Sequence, residues 1–443
     1  MNAGTSSPCL RPRRWSGVSR YPPIYPGAPG LSFAQSGAIF AAGVQSILAF
    51  ALAGAARADS NRHYDHLRDV RVLVASEIQR FWVRCESGFR IVDSATGRSG
   101  NMPAGEWFEV GLGATGVILV AERPWSGAGV YLDPAEERSI RFSLNRDDDR
   151  NGLTDYPGRL HVIVESGLLS VINEVPVERY VACVVANEVW PDFAVEAFRT
   201  QAIVTRTYVL YHMLRRPDAT YDVAATQGSQ VYRGIRADAV GRRAAEAAEY
   251  TRGLVCTYRD NGRDRLFCSY YSAVCGGMSQ SAAKLGAEGD IAPLAGGVRC
   301  DYCRIAPGQA YRWGPVRIGS GEVLAKLIAR YPEFAGLGEI TAVTPVESTP
   351  TGRAVTLRIT GSSGGSRELL AERFRLAVGP NTVRSTDCKI QVSEGEVIFE
   401  DGKGFGHGLG LCQWGMQGQA LKGRSAAEIL RYYYPGSRLA RVY

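Results

Sequence analysis

Residues 185–191 read VANEVWP and place one carboxyl, Glu188, between small apolar residues and an indole. A carboxyl beside aliphatic and aromatic groups loses hydration, which favours its neutral form and raises its pKa. Such a group suits general-acid work near neutral pH. The competing expectation is a solvated glutamate at a helix end. A second stretch, TQGSQVYRG at 226–234, gathers Gln230, Tyr232 and Arg233. Amides serve sugar hydroxyls and rings serve sugar faces, so this stretch fits a carbohydrate contact or a plain turn.

The most unusual stretch is GFGHGLGLCQWGMQG at 404–418. So many glycines leave the backbone open to close approach. One expectation is a groove wall. There, amides of Gly404, Gly406, Gly408 and Gly410 reach a sugar, Trp414 stacks on it, and His407 and Gln413 donate hydrogen bonds. The other is a tight corner packed on the core. Cysteines form a further constellation. Cys268, Cys275, Cys300 and Cys303 fit a structural zinc, two disulfides or free thiols, and only Cys300 and Cys303 have CxxC spacing. Cys183, inside YVACVVA, reads as a small buried hydrophobe. At 147–155, DDDRNGLTD follows the first nine positions of a calcium loop. Gly158 stands where the twelfth-position Glu belongs, so a solvated acidic turn is expected.

The elements that must position these groups are mixed. VRVLVAS (70–76), SIRFSL (139–144) and GRLHVIVESGLLSVINEV (158–175) read as strands, the last as two around a Ser166-Gly167 turn. Helices are expected over PVERYVACVVANE, over 191–214 and over 237–249. In the second of these, Val195, Phe198, Ala202 and Val209 share a face. Strands return with GLVCTY, RLFCSYYS, AVTLRI and KIQVSEGEVIFED. GSSGGS reads as a hairpin tip and SAAEILRYYY as a helix. Strands and helices without regular βαβ alternation predict an α+β fold: a strand-rich N-terminal region at 59–155, then a mixed helix and strand catalytic core at 156–443.

Several of these stretches resemble one family in order along the chain. YVACVVANEVWPDFAVEAFRTQAIVTRTYVL, QVYRG, TRGLVCTY, YYSAVCGG, RST at 384–386, GFGHGLGLCQWGMQGQAL and ILRYYYPG are similar to motifs of the stage II sporulation protein D and amidase-enhancer family. The resemblance covers roughly residue 156 onward. It implies a bacterial cell-wall protein acting on peptidoglycan. Sporulation members are lytic transglycosylases that cleave glycan strands stripped of stem peptides, and the other branch stimulates a separate amidase. It implies that Glu188 is the catalytic acid. Arg206, Gln230, Tyr232, Tyr271, Ser272, His407, Gln413 and Trp414 are then the candidate substrate-binding residues. There is a departure: Tyr271 stands where family members often carry His before the residue matched by Ser272. Any metal here therefore needs a cysteine-dominated set. No cofactor is expected for the catalysis itself.

Bulk properties agree with an extracytoplasmic protein. Arg11, Arg13, Arg14 and Arg20 precede an apolar stretch at 38–55, and Ala56-Arg57-Ala58 supplies a cleavage pattern. Residues 1–58 thus read as a signal peptide or N-terminal anchor, the only expected contact with a membrane. Export places the chain in the periplasm, the cell wall or at the outer face of the cytoplasmic membrane. Cleavage removes Cys9 from ten cysteines and leaves an odd number, so at least one thiol stays unpaired. A net charge of +7 spread over scattered arginines argues against nucleic acid. The expected partners are glycan strands and, on the alternative reading, a cell-wall amidase.

Overall fold

A computed structural model describes residues 67–135, 139–144, 154–226, 228–287 and 289–443. The export segment and most of the acidic turn at 147–155 lie outside these residues. The fold is α+β. A seven-stranded sheet has Asp69–Ile78 beside Leu168–Pro176, then Arg159–Glu165, Gly129–Pro134, Phe89–Asp93 and Ser99–Met102, with Val223–Ala224 on the far edge. A six-stranded sheet built around Arg80–Arg84 and Trp107–Leu112 covers it. The hairpin around Ser166 and Gly167 forms as expected, with φ of 51° and 77° at the two turn residues. Residue 156, the expected domain boundary, falls inside Thr154–Pro157, which pairs with Ser139–Ser143. One hydrophobic core runs from Leu67 in the N-terminal sheets to Val442, with no break there.

Of three helices beside the first sheet, the first packs on it and the other two pack on that helix. They are α1 (Val177–Glu188), α2 (Val195–Arg215) and α3 (Ala239–Tyr250). α2 begins four residues later than its Pro191 signal suggests. The 191–194 segment is held as a turn instead: Arg243 donates to the carbonyls of Pro191 and Phe193, and Gln417 Oε1 accepts from Ala194 N at 2.8 Å. Nor is α2 amphipathic. Phe198, Ala202 and Val209 are buried, but so are Thr200, Gln201, Thr205 and Arg206 on other faces, while Val195 is 52% exposed. A helix enclosed on all sides is the centre of the domain.

Between Cys303 and Gly404 the chain leaves this body and builds a second, separate core from Trp313 to Phe399. This unit contains α4 (Ser320–Ile328) and α5 (Ala371–Val378), with Ala354–Gly361 pairing Ile340–Ser348 and Ser366–Leu370. The chain then returns through the glycine-rich stretch to α6 (Gln413–Ala420) and α7 (Ala426–Tyr433). α7 starts with a capping box between Ser425 and Glu428. Ser437–Arg441 closes the fold on Leu254–Asp260. No helix among the described residues is long and apolar enough to cross a membrane.

Candidate active site

Glu188 is the last residue of α1, and Val189 turns the chain out of the helix in an extended conformation. One orphan carbonyl at this end is met by a side chain, Arg236 donating to Ala186 O at 3.0 Å, and Asn187 folds back to donate to Cys183 O at 2.7 Å. Glu188 is half-buried as a residue, and its carboxyl is held from three sides. Oε1 accepts from Val231 N and from Tyr271 OH, both at 2.9 Å. Oε2 accepts from Gln413 Nε2 at 3.3 Å. Behind Tyr271 the chain of donors continues, with Gln230 Nε2 donating to Tyr271 OH at 3.3 Å and Tyr180 OH to Gln230 Oε1 at 2.9 Å.

Burial raises the Glu188 pKa above the ordinary carboxyl value, against the opposing pull of those three donors and of Arg233. The C-terminal end of α1 acts in the same direction as burial, because a helix end carries partial negative charge. The result is a carboxyl whose position is fixed by donors and whose proton is held to higher pH by desolvation. Removing one donor should raise the pKa further. Tyr271→Phe is expected to move the alkaline fall of any Glu188-dependent reaction to higher pH, since the acid form would persist further. A pH–rate profile of the variant beside wild type checks the sign.

Aromatic residues lie next to this carboxyl in the chain. Trp414 follows Gln413 and sits with its ring 5.0 Å from both Trp190 and Phe193, edge-on to each. Trp190 and Trp414 are both partly exposed. The expectation that Trp414 would have few side chains to pack against is therefore corrected: it is wedged between two rings and keeps one part free.

Other expected site residues lie elsewhere. Arg206 is fully buried in α2 and forms a two-pronged ion pair with Glu178, with Nε donating at 2.9 Å. It also donates to Leu254 O and Ala248 O, so it ties α1, α2 and α3 together rather than facing a substrate. Arg206→Ala should cost about 3–5 kcal/mol of stability by stranding Glu178, and a thermal melt checks it. Tyr232 is buried between the rings of Tyr156 and Tyr180 and donates to Asn173 Oδ1, a core position. Gln230 is also buried, one step behind Tyr271. Ser272 is buried, and its Oγ has no hydrogen-bond partner among the described residues.

The glycine-rich stretch is mainly a corner. Gly404 has φ of +80°, and a Cβ there would lie 2.6 Å from Val274 O. At Gly410, with φ of +61°, it would lie 2.1 Å from Tyr270 O. What approaches this backbone so closely is the chain's own 270–276 segment. The amides of Gly404 and Gly406 donate to Tyr311 O and Arg384 O, so neither is left for a sugar. His407 is engaged too: Nδ1 accepts from Leu409 N at 2.9 Å, and the ring hydrogen-bonds with the Tyr271 backbone. Burial pushes its pKa down to about 4, so it is neutral at pH 7. Buried Arg353, reaching over from the second core, donates to Gly406 O at 2.9 Å and pins the stretch from the other side.

The cysteines also regroup. Tyr271–Ser272 pairs in parallel with Leu411–Cys412, which brings Cys412 beside Cys275. Cys275, Cys300, Cys303 and Cys412 are all buried, with their sulfurs within 4.8 Å of one another. Cys268 is not among them; its sulfur lies 3.7 Å from His212 Nε2. Residues missed in the sequence are thus Cys412, Tyr180 and the Val231 amide. Of these, only Cys412 carried a signal, as a lone cysteine among glycines.

Residues 165–258, which contain Glu188, match the family model described as Stage II sporulation protein. The chain is 32% identical over 309 residues to an uncharacterised protein of Brachyspira hyodysenteriae, across 70% of this chain and 77% of that protein. It is 25% identical over 285 residues to Stage II sporulation protein D of Bacillus subtilis, across 61% of this chain and 76% of that one. A shorter match, 35% identical over 66 residues, joins 15% of this chain to 9% of a Bacillus subtilis protein named Amidase enhancer.

Proposed function

Because the chain belongs to the stage II sporulation protein D family, we propose that it acts on the bacterial cell wall as an exported lytic transglycosylase, cutting peptide-stripped glycan strands with Glu188 as its acid and base. The observation that carries this reading is the Glu188 carboxyl itself, with its pKa raised by burial and both oxygens held by donors. Most glycosidases use two carboxyls. A transglycosylase can use one, because the nucleophile is the sugar's own 6-hydroxyl. Glu188 first gives its proton to the glycosidic oxygen as the C1–O bond breaks. Val231 N, Tyr271 OH and Gln413 Nε2 then stabilise the carboxylate that remains. That carboxylate takes the proton of the 6-hydroxyl as its oxygen bonds to C1. The products are a free 4-hydroxyl and a 1,6-anhydro sugar, and no water is consumed. Glu188 ends protonated, ready for the next strand.

Trp190 and Trp414 would present their exposed parts to sugar faces beside the acid. Trp414→Ala is expected to weaken glycan binding by roughly 1–3 kcal/mol, by analogy with other aromatic platforms. Pull-down on glycan strands measures it, and a melt on the same sample separates this from lost packing against Phe193. Unchanged binding in a destabilised variant would leave Trp414 a packing residue only.

The deciding experiment is incubation of purified protein with stem-free glycan strands, followed by mass spectrometry of the products. Anhydro-ended fragments support the transglycosylase. The match to the protein named Amidase enhancer favours a second reading, recruitment or activation of a cell-wall amidase. Folded protein that yields no anhydro ends but stimulates an added amidase would establish that reading instead.

A further inference from the structure

We propose that Cys275, Cys300, Cys303 and Cys412 hold a single tetrahedral zinc ion, and that this ion fixes the start of the helix from which Gln413 grips Glu188. The second clause rests on the proposed role of Glu188; the first does not.

The geometry fits one small ion. Four thiolates around zinc at about 2.3 Å place their sulfurs ~3.8 Å apart. Here the four sulfurs lie within 4.8 Å of one another, and Cys275 and Cys303 are 3.8 Å apart. That separation is far beyond the ~2.05 Å of a disulfide bond. The ligands come from three separate segments, and Cys300 and Cys303 supply a CxxC pair on one turn. All four are buried, so bulk water has no open position in the set.

The surroundings suit sulfur that carries charge. Cys275 N and Gly415 N point at Cys412 Sγ at 3.3 and 3.4 Å, and Tyr433 OH lies 3.0 Å from Cys300 Sγ. Donors of this kind orient metal-bound thiolates. Cys412 is also the N-cap of α6, where the helix favours negative charge. The buried guanidinium of Arg353 sits against Cys275 O at 3.5 Å and offers countercharge to a tetrathiolate centre. Binding would release the four thiol protons to solvent as the zinc–sulfur bonds form.

The placement gives the ion a task. Cys412 directly precedes Gln413, whose side chain bonds Glu188 Oε2, Glu188 O and Gln201 Oε1. Anchoring the sulfur of one residue therefore sets the backbone of the next.

The test uses the full chain purified without chelator. Elemental analysis and native mass spectrometry should find one zinc per chain. Exchange for cobalt should give the thiolate-to-metal charge-transfer and d–d absorption of a tetrahedral tetrathiolate. Cys412→Ser should lose the metal, whereas Cys268→Ser should keep it. If Cys412→Ser does not fold, the wild-type protein still decides. Disulfides among the four cysteines, or four alkylatable thiols that take up no zinc when reduced and supplied with it, would overturn the proposal. So would a Cys268→Ser variant that loses the ion while remaining folded. Removing zinc from wild type should lower glycan cleavage at least tenfold, and undiminished cleavage would refute the link to Glu188. Zinc-loaded protein that never cleaves counts against the transglycosylase reading and leaves the metal site standing.

Discussion

Glu188→Gln is expected to lower glycan cleavage by about 100- to 10,000-fold, the usual contribution of a positioned general acid. The variant should fold. Its side-chain carbonyl can still accept from Val231 N and Tyr271 OH, while the new amide can reorient against Gln413. Relative to the wild type, its stability should gain as pH rises through the raised pKa of Glu188. Burial raises the folded-state pKa of Glu188, so folding is favoured below the ordinary carboxyl range, and that advantage is lost as pH rises through the raised value. Above that raised value the wild type holds a poorly solvated charge that glutamine lacks. Melting curves and product analysis on one preparation check both halves. Wild-type cleavage in a folded Gln variant would remove Glu188 from the chemistry. Inactivity together with a large loss of melting temperature would make it a structural carboxylate instead.

Gly410→Ala should be among the most damaging small substitutions in the chain. A positive φ costs a non-glycine residue about 1–3 kcal/mol by itself. At Gly410 the added methyl would also lie 2.1 Å from Tyr270 O and 2.9 Å from the Tyr434 ring, so backbone must move. Gly423 provides the comparison. Its φ is similar, +78°, but nothing lies within 4 Å of a Cβ there. Gly423→Ala should show the conformational cost alone, and Gly410→Ala should melt well below it. Equal losses would mean that close approach of the 270–276 segment does not explain the glycines.

The candidate acid, Glu188, was legible because apolar groups, Val189 and Trp190, are its neighbours in the chain. Its hydrogen-bond partners were not legible as partners. They stand 43, 83 and 225 residues away, and no local period encodes such meetings. Gln230 and Tyr271 were picked out as sugar contacts, yet they form the line of donors behind the acid. Arg206 and Tyr232 show the opposite error. Polar groups on a helix and a loop looked available to substrate, but the fold encloses both and satisfies them internally. The strands and helices singled out in the sequence mostly formed near their expected limits, from alternation and capping. The start of α2 did not, because Arg243 and Gln417 hold the preceding turn from a distance. Cys268 looked like a ligand by proximity to Cys275 in the sequence. Parallel pairing of two short strands put Cys412 there instead, and two-residue strands leave no pattern to read.

The 225-residue gap between Glu188 and Gln413 also sets a clock. At a synthesis rate of about 5–20 residues per second, Gln413 leaves the ribosome roughly 10–45 s after Glu188. Throughout that interval α1 can exist while its terminal acid has no hand on Oε2 and no Trp414 beside it. The nascent chain therefore carries a blank tool: a prematurely terminated product retains Glu188 yet lacks the geometry to use it. On the proposed function, competence would wait for α6 to dock and bring Gln413 to Glu188. For a protein whose proposed target is the load-bearing mesh of its own cell, such an order of assembly is a built-in delay that needs no inhibitor.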